Sequence, residues 1–152
     1  MNIVRVTTDA EVRATSRVMR QLRPEVAEEE YVPKVRRMMS AHGYQMAAVI
    51  DDRVVKAVGV YRIFETLYCR RLLSIDDLVT DDDSRSAGYG RALLAWLIGQ
   101  ARANDCCHVH LDSRVHRARA HRFYFREGFA IEGFHFIATP LPQPESPGRR
   151  LE

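Results

Sequence analysis

Long apolar runs are missing from this 152-residue chain. No stretch approaches the roughly 18 residues that a membrane-spanning helix needs. The amino-terminal "MNIVRVTTDAEVR" also lacks the basic-then-apolar layout of a secretory signal. A cytoplasmic protein with no membrane partner is therefore expected. Cysteine is scarce. Cys69, Cys106 and Cys107 are an odd set with two adjacent members, which does not read as a disulfide framework. No Cys-x-x-Cys or matching His pair suggests zinc. The formal net charge of +3 is too small to argue for nucleic acid, and no internal repeat is visible. What is present is ordinary for one globular domain with one core. Hydrophobic residues make up 46% and charged residues 28%.

Periodicity and breakers give the order of elements. Residues 2–6 alternate as a short strand. Thr8 or Asp9 is a fair N-cap, with Glu11 in the first turn, for a helix carrying Val12, Ser16, Met19 and Leu22, which Pro24 ends. A second helix over about 26–41 carries Val32, Val35, Met38 and Met39, starts as late as Pro33, and closes at Gly43. Residues 44–50 and 54–64, joined by Asp51-Asp52-Arg53, read as a β-hairpin. Residues 71–79 read as strand, 88–104 as helix and 107–112 as strand. This β-α-β unit predicts parallel pairing with a right-handed crossover. A last helix at 116–126 closes at Gly128, and 129–138 returns as strand. The fold class is α/β (α+β), a mixed sheet with helices on both faces. Residues 1–139 form the domain. The four-proline stretch "PLPQPESPGRRLE", 140–152, reads as a flexible tail.

The most informative stretch is "DDDSRSAGYGRALL". It follows a strand and opens a helix. The first helical N–H groups have no internal partner and sit at the positive end of the dipole, so they form an anion site. Gly88 and Gly90 remove Cβ atoms that would keep a phosphate from the backbone, and Arg85 adds positive charge. A Walker loop is excluded, because no Gly-Lys-Ser/Thr ends the turn. A dinucleotide fingerprint is excluded too, because Leu93 stands where its third glycine belongs. The acids before Arg85 read as a solvated strand end, as do the other clusters of like charge.

"LLSIDDLVTDDDSRSAGYGRALL" resembles the acetyl-CoA-binding motif of the GCN5-related N-acetyltransferases. "AHRFYFREGF", 120–129, resembles the same family's second motif, at fitting spacing. The resemblance is specific over 73–136 and rests on element order before that. It implies a sheet splayed between the fourth and fifth strands, with acetyl-CoA as co-substrate. It places the pyrophosphate on Arg85, Ser86, Ala87, Gly88, Tyr89, Gly90 and Arg91, and the pantetheine arm along Leu78, Val79 and Thr80. Ser86 replaces a glycine common in the family. Where many members have a CoA-contacting Asn, this chain has Arg117, with Ser113 as near substitute, and His121 is a further candidate contact.

Tyr124 matches the tyrosine placed near the CoA sulfur, which implies a general acid for the leaving thiolate. The bare residues suggest only a packing tyrosine. For the base, Asp76 is the first choice and Asp77 the second. Simple alternation puts Asp76 on one face with Leu78 and Thr80. The expected reaction is direct attack of a small molecule's primary amine, with the oxyanion held by strand N–H groups near Leu78. Acids at Glu28–Glu30, Glu65, Asp76 and Asp77 would favour a cationic acceptor if they line the cleft. Protein or peptide acetylation, and a non-catalytic acyl-CoA-binding module, are the alternatives. A homodimer through the last strands is an expectation of the resemblance alone. His108, His110 and Asp112 share a strand face at metal-binding spacing, but Ser113 stands where a further ligand would be needed. No metal is expected there, and the imidazoles read as packed under the neighbouring helix. Met38, Met39 and Met46 read as core or acceptor-site lining, and Trp96 as packing.

Overall fold

The computed structural model describes residues 1–138 and Pro140. Apart from Pro140, the expected tail lies outside the described residues. The elements are β1 (Asn2–Val6), α1 (Asp9–Leu22), α2 (Glu28–His42), β2 (Gln45–Asp51), β3 (Val54–Phe64), β4 (Leu72–Thr80), a 3-10 turn (Asp82–Ser84), α3 (Tyr89–Ala103), β5 (His108–Leu111) and α4 (Ala118–Arg126). Met1–Asp112 form one compact unit, and a second begins at Ser113.

In the first unit the strands are ordered β1-β2-β3-β4-β5. The first three pairings are antiparallel, and β4–β5 is parallel, as the β-α-β pattern predicts. Asp52 and Arg53, both at positive φ, close the β2–β3 hairpin in the form that matches strand twist. Alternate β3 residues serve two helical layers. Val58 and Val60 join Val12, Val18 and Met19 of α1, and Tyr31 and Val35 of α2, in one core. Gly59 points the other way: a Cβ there would lie 3.3 Å from Leu93 and Leu97 of α3. Glycine therefore lets α3 sit close to the sheet. Trp96 meets Tyr61 edge-on at 6.1 Å.

Local signals set the helix ends. Thr8 and Glu11 make a reciprocal capping box, and the Thr7 and Thr8 N–H groups hold the Glu11 carboxyl down at about 2. Gly43 closes α2 in the left-handed conformation. α2 begins at Glu28, close to the start of the expected 26–41 segment and not at Pro33, which lies inside it. Pro33 lies in the second turn, where it forfeits the bond to the Glu29 carbonyl.

Three expectations fail. Residues 129–138 form no strand, and 130–138 are exposed. The alternating pattern is there, but a strand exists only when a neighbour closes its hydrogen bonds. Cys69 and Cys107, 38 residues apart, are joined as a disulfide, leaving Cys106 free. The parallel β4–β5 pairing brings their flanking loops together, a proximity no sequence spacing reveals. His108 and His110 are exposed rather than packed under a helix, and His108 stacks on Tyr68 at 6.4 Å. The His108 ring nitrogen and the two bonded sulfurs all lie within 4.8 Å of one another. No helix among the described residues is long and apolar enough to cross a membrane.

Candidate active site

The site starts from an unfinished strand. β5 pairs with β4 only from Leu72↔His108 to Ile75↔Leu111, so β4 continues to Thr80 with no neighbour on that edge among the described residues. On its other edge β4 stays paired with β3, through Gly59↔Leu78, Val58↔Val79 and Ala57↔Thr80. The Asp81 N–H donates to Lys56 O at 2.9 Å. Strand backbone alternates, so the N–H and C=O groups of Leu78 and Thr80 face away from β3, toward the open edge. Val79 turns its side chain into the core. Leu78 and Thr80 thus leave backbone groups free on the open edge while Val79 packs.

Between Val60/Tyr61 and Asp77/Ile75 the register shifts, so Asp76 is an extra residue, a β-bulge. The bulge breaks the alternation that would put Asp76 with Leu78 and Thr80. Instead its carboxylate meets Arg62 in a bidentate pair, at 2.6 and 2.7 Å, with Ser74 Oγ at 3.3 Å. Asp77, level with Val60, faces a cleft of about 210 Å³ between α1, α2 and the sheet, also lined by Arg23, Tyr31, Tyr44, Met38 and Met46. Arg23 holds it through Oδ1 alone, with Nε at 2.8 Å and Nη2 at 2.6 Å, and Oδ2 has no hydrogen-bond partner among the described residues. Burial outweighs the pull of Arg23 and pushes the Asp77 carboxyl above its ordinary value. Burial likewise pushes the Tyr31 and Tyr44 phenols up to about 12. Tyr31 shares a 2.8 Å hydrogen bond with Thr15.

Of the acids expected to draw in a cation, only Asp77 lines this cleft. Glu28 and Glu29 border a wider groove of about 560 Å³ with Asp9 and Arg13, which holds none of the expected site residues. Glu65 pairs with Arg71. Met39 lines neither.

The turn after β4 is built against α1. Asp81 is not solvated: it is 3% exposed, with Arg17 at 3.0 and 2.8 Å and Gln21 Nε2 at 2.8 Å. The Arg17 hydrogen bonds hold its carboxyl below the usual range. Gln21 Oε1 accepts from the Asp82 N–H at 2.9 Å, and Asp82 in turn pairs with Arg85. Ser86 and Gly88 both adopt positive φ, 68° and 87°. Serine thus occupies a backbone position suited to glycine. Ala87 and Gly88 then lead into α3, which has no side-chain cap and no acid in its first turn, around Tyr89, Gly90 and Arg91. No atom lies within 4 Å of where a Gly88 Cβ would be. The Tyr89 hydroxyl donates to Asp51 at 2.7 Å, which anchors its ring at the β2–β3 turn. The chain thus leaves bare helix N–H groups at the end of an open strand edge, which suits a phosphate on a ligand running along β4.

In the second unit, Arg117 is the N-cap of α4, and His121 Nε2 lies 3.0 Å from Arg114 O. The Ser113 hydroxyl is buried without a hydrogen-bond partner among the described residues. Tyr124 sits between Phe123, at 5.3 Å, and Phe129, at 5.8 Å. Burial pushes its phenol up, opposed by Arg117, so it is protonated near neutral pH. Sequence reasoning missed Arg23, whose role depends on a contact 54 residues away.

Residues 12–129 match the Acetyltransferase (GNAT) family. The chain belongs to that family, and it is an acetyltransferase. It is 29% identical over 137 residues, 90% of this chain and 96% of the other, to YhdJ, an uncharacterised N-acetyltransferase of Bacillus subtilis strain 168. It is 30% identical over 89 residues, 59% of this chain and 58% of the other, to the aminoalkylphosphonate N-acetyltransferase of Salmonella typhimurium LT2. The fold matches that of the aminoglycoside N-acetyltransferase AAC(6')-Iy in complex with CoA, with TM-score 0.79 and 13% identity over 92% of this chain and 95% of that one.

Proposed function

We propose that this enzyme transfers the acetyl group of acetyl-CoA to the primary amine of a small molecule, by direct attack within a ternary complex. The observation that carries the reading is the open edge of β4, which ends at the uncapped start of α3. Acetyl-CoA supplies an activated thioester. Leu78 and Thr80 would pair with its amide-bearing arm, and residues 85–91 would hold its pyrophosphate. A CoA complex of the same fold, and a relative named for aminoalkylphosphonates, support the co-substrate and the small acceptor. The cleft of about 210 Å³ favours a small amine over a peptide.

The acceptor must lose a proton before it attacks. Asp76 is held on both oxygens by Arg62, whereas Asp77 keeps Oδ2 open on the cleft. That favours Asp77 as the base, with Asp76 orienting Arg62. Tyr124 is the general acid for the thiolate, and its neutral phenol suits that task. The test is a panel of amines assayed for free thiol released from acetyl-CoA. Turnover of small amines is expected; failure to bind CoA at all would sink the reading. Tyr124→Phe should lower kcat about 100-fold with acetyl-CoA affinity unchanged. Unaltered turnover in that variant removes the acid role.

A further inference from the structure

The acceptor cleft carries both signs of charge. Asp77 lies at its base, and Arg23, Lys34 and Glu25 also line it, among Val26, Tyr44 and methionines. Arg23 and Asp77 already form a pair, but an incomplete one. Both contacts from the guanidinium converge on Oδ1, so Asp77 Oδ2 remains for an incoming donor. The Arg23 side chain is 46% exposed, and its Nη1 makes no hydrogen bond to a described residue. Lys34 is exposed and has no ion pair among the described residues. A bare diamine would meet Asp77 and Glu25 but also two cations. A neutral amine would leave Lys34 and the free side of Arg23 unanswered. A molecule with a positive and a negative end satisfies both sets.

We infer that the preferred acceptor is a short aliphatic amine bearing an anionic group (carboxylate, sulfonate or phosphonate), with the amine on Asp77 Oδ2 and the acid on Arg23 and Lys34. The inference rests on the acetyltransferase reading above and adds to it the sign and position of the second group. Arg23 then serves two purposes. It pulls Asp77 toward the ionised form against the effect of burial, and it offers its outer N–H groups to the acid, which fixes the acceptor in one direction along the cleft. The forked, planar guanidinium is suited to two-point contact with such oxyanions. The apolar walls, Met38, Met46 and Val26, fit a short methylene spacer.

The test compares acceptors of matched length with acetyl-CoA and thiol detection: β-alanine, 2-aminoethylsulfonate and 2-aminoethylphosphonate against propylamine and 1,3-diaminopropane. At least one acidic acceptor should exceed both others about tenfold or more in kcat/KM, since a hydrogen-bonded charge pair in a partly buried site is of that order. Equal or greater turnover of propylamine or diaminopropane overturns this inference and leaves the acetyltransferase reading intact. Thiol release from none of the amines by CoA-binding protein overturns both. Lys34→Gln should cut the preference for acidic over neutral acceptors about tenfold, and Lys34→Arg should keep it. A preference unchanged in Lys34→Gln also overturns the assignment. Lys34 itself is exposed, so both variants are expected to fold.

Discussion

Residues 72–75 of β4 have a hydrogen-bonded neighbour on each edge, whereas 76–80 have β3 alone among the described residues. The side chains follow suit. Leu72, Leu73, Ser74 and Ile75 are all buried, while Asp76, Asp77, Leu78 and Thr80 are partly exposed. The first half fixes the strand in the sheet. The second keeps β3 on one edge only, so its backbone on the other edge is left free. The bulge at Asp76 is the hinge between these regimes, and it sends two consecutive acids to different partners.

The sharpest way to separate the halves is Asp77→Asn. With Asp77 as base, kcat should fall about 10²–10⁴-fold. A base works ionised, so the wild-type rate should rise as pH climbs through the raised value, and the variant should lack that limb. Stability should move the other way. A carboxyl raised by burial stabilises the fold only while protonated, and that contribution is gone above its folded value, so the Asn protein should be no less stable at neutral pH. A kinetic pH profile beside a thermal melt reads both; an intact rising limb on the acid side in Asp77→Asn would return the role to Asp76 or a water.

In the paired half the pattern should invert. Leu73 is fully buried. Leu73→Ala should therefore cost about 3 kcal/mol by denaturant titration while KM for acetyl-CoA stays near wild type. A large KM effect there would erase the distinction. Next comes Asp81→Asn, because Arg17 and Gln21 lose a buried partner. Its expected cost is about 2 kcal/mol by the same titration. The Asp81 carboxyl is depressed, so its contribution is full above the ordinary carboxylate range and is lost as pH falls through its folded value. The variant's stability should therefore fall less steeply in acid. The smallest effect is expected at Ser86, a left-handed serine. Ser86→Gly relieves that conformation and should stabilise by roughly 1 kcal/mol, with acetyl-CoA binding retained. A destabilised Gly variant would mean that the hydroxyl, not the backbone, matters.

Much of this was legible from local pattern. The β4-α3-β5 crossover, the Thr8 cap, the glycine ends at Gly43 and Gly128, and the turn at 85–90 are all encoded within a few residues of where they act. What escaped depends on pairing. The bulge is a count of β4 residues against β3, invisible in "IDDL" alone. Asp81 reads as one of three surface acids until α1 lays Arg17 and Gln21 over it. Residues 129–138 carry a strand's alternation without a closing neighbour. The choice between Asp76 and Asp77 turned on Arg62 and Arg23, which no motif names.

The Cys69–Cys107 bridge can be followed one step further. The loop it closes spans 38 positions and contains all of β4, the turn at 81–88 and α3, the whole segment proposed to hold the co-substrate. A cross-link around a loop of that length removes denatured-chain entropy worth about 4 kcal/mol. That segment is thereby made a covalent ring, and the redox state of two sulfurs outside the acceptor cleft governs how readily the ring comes apart.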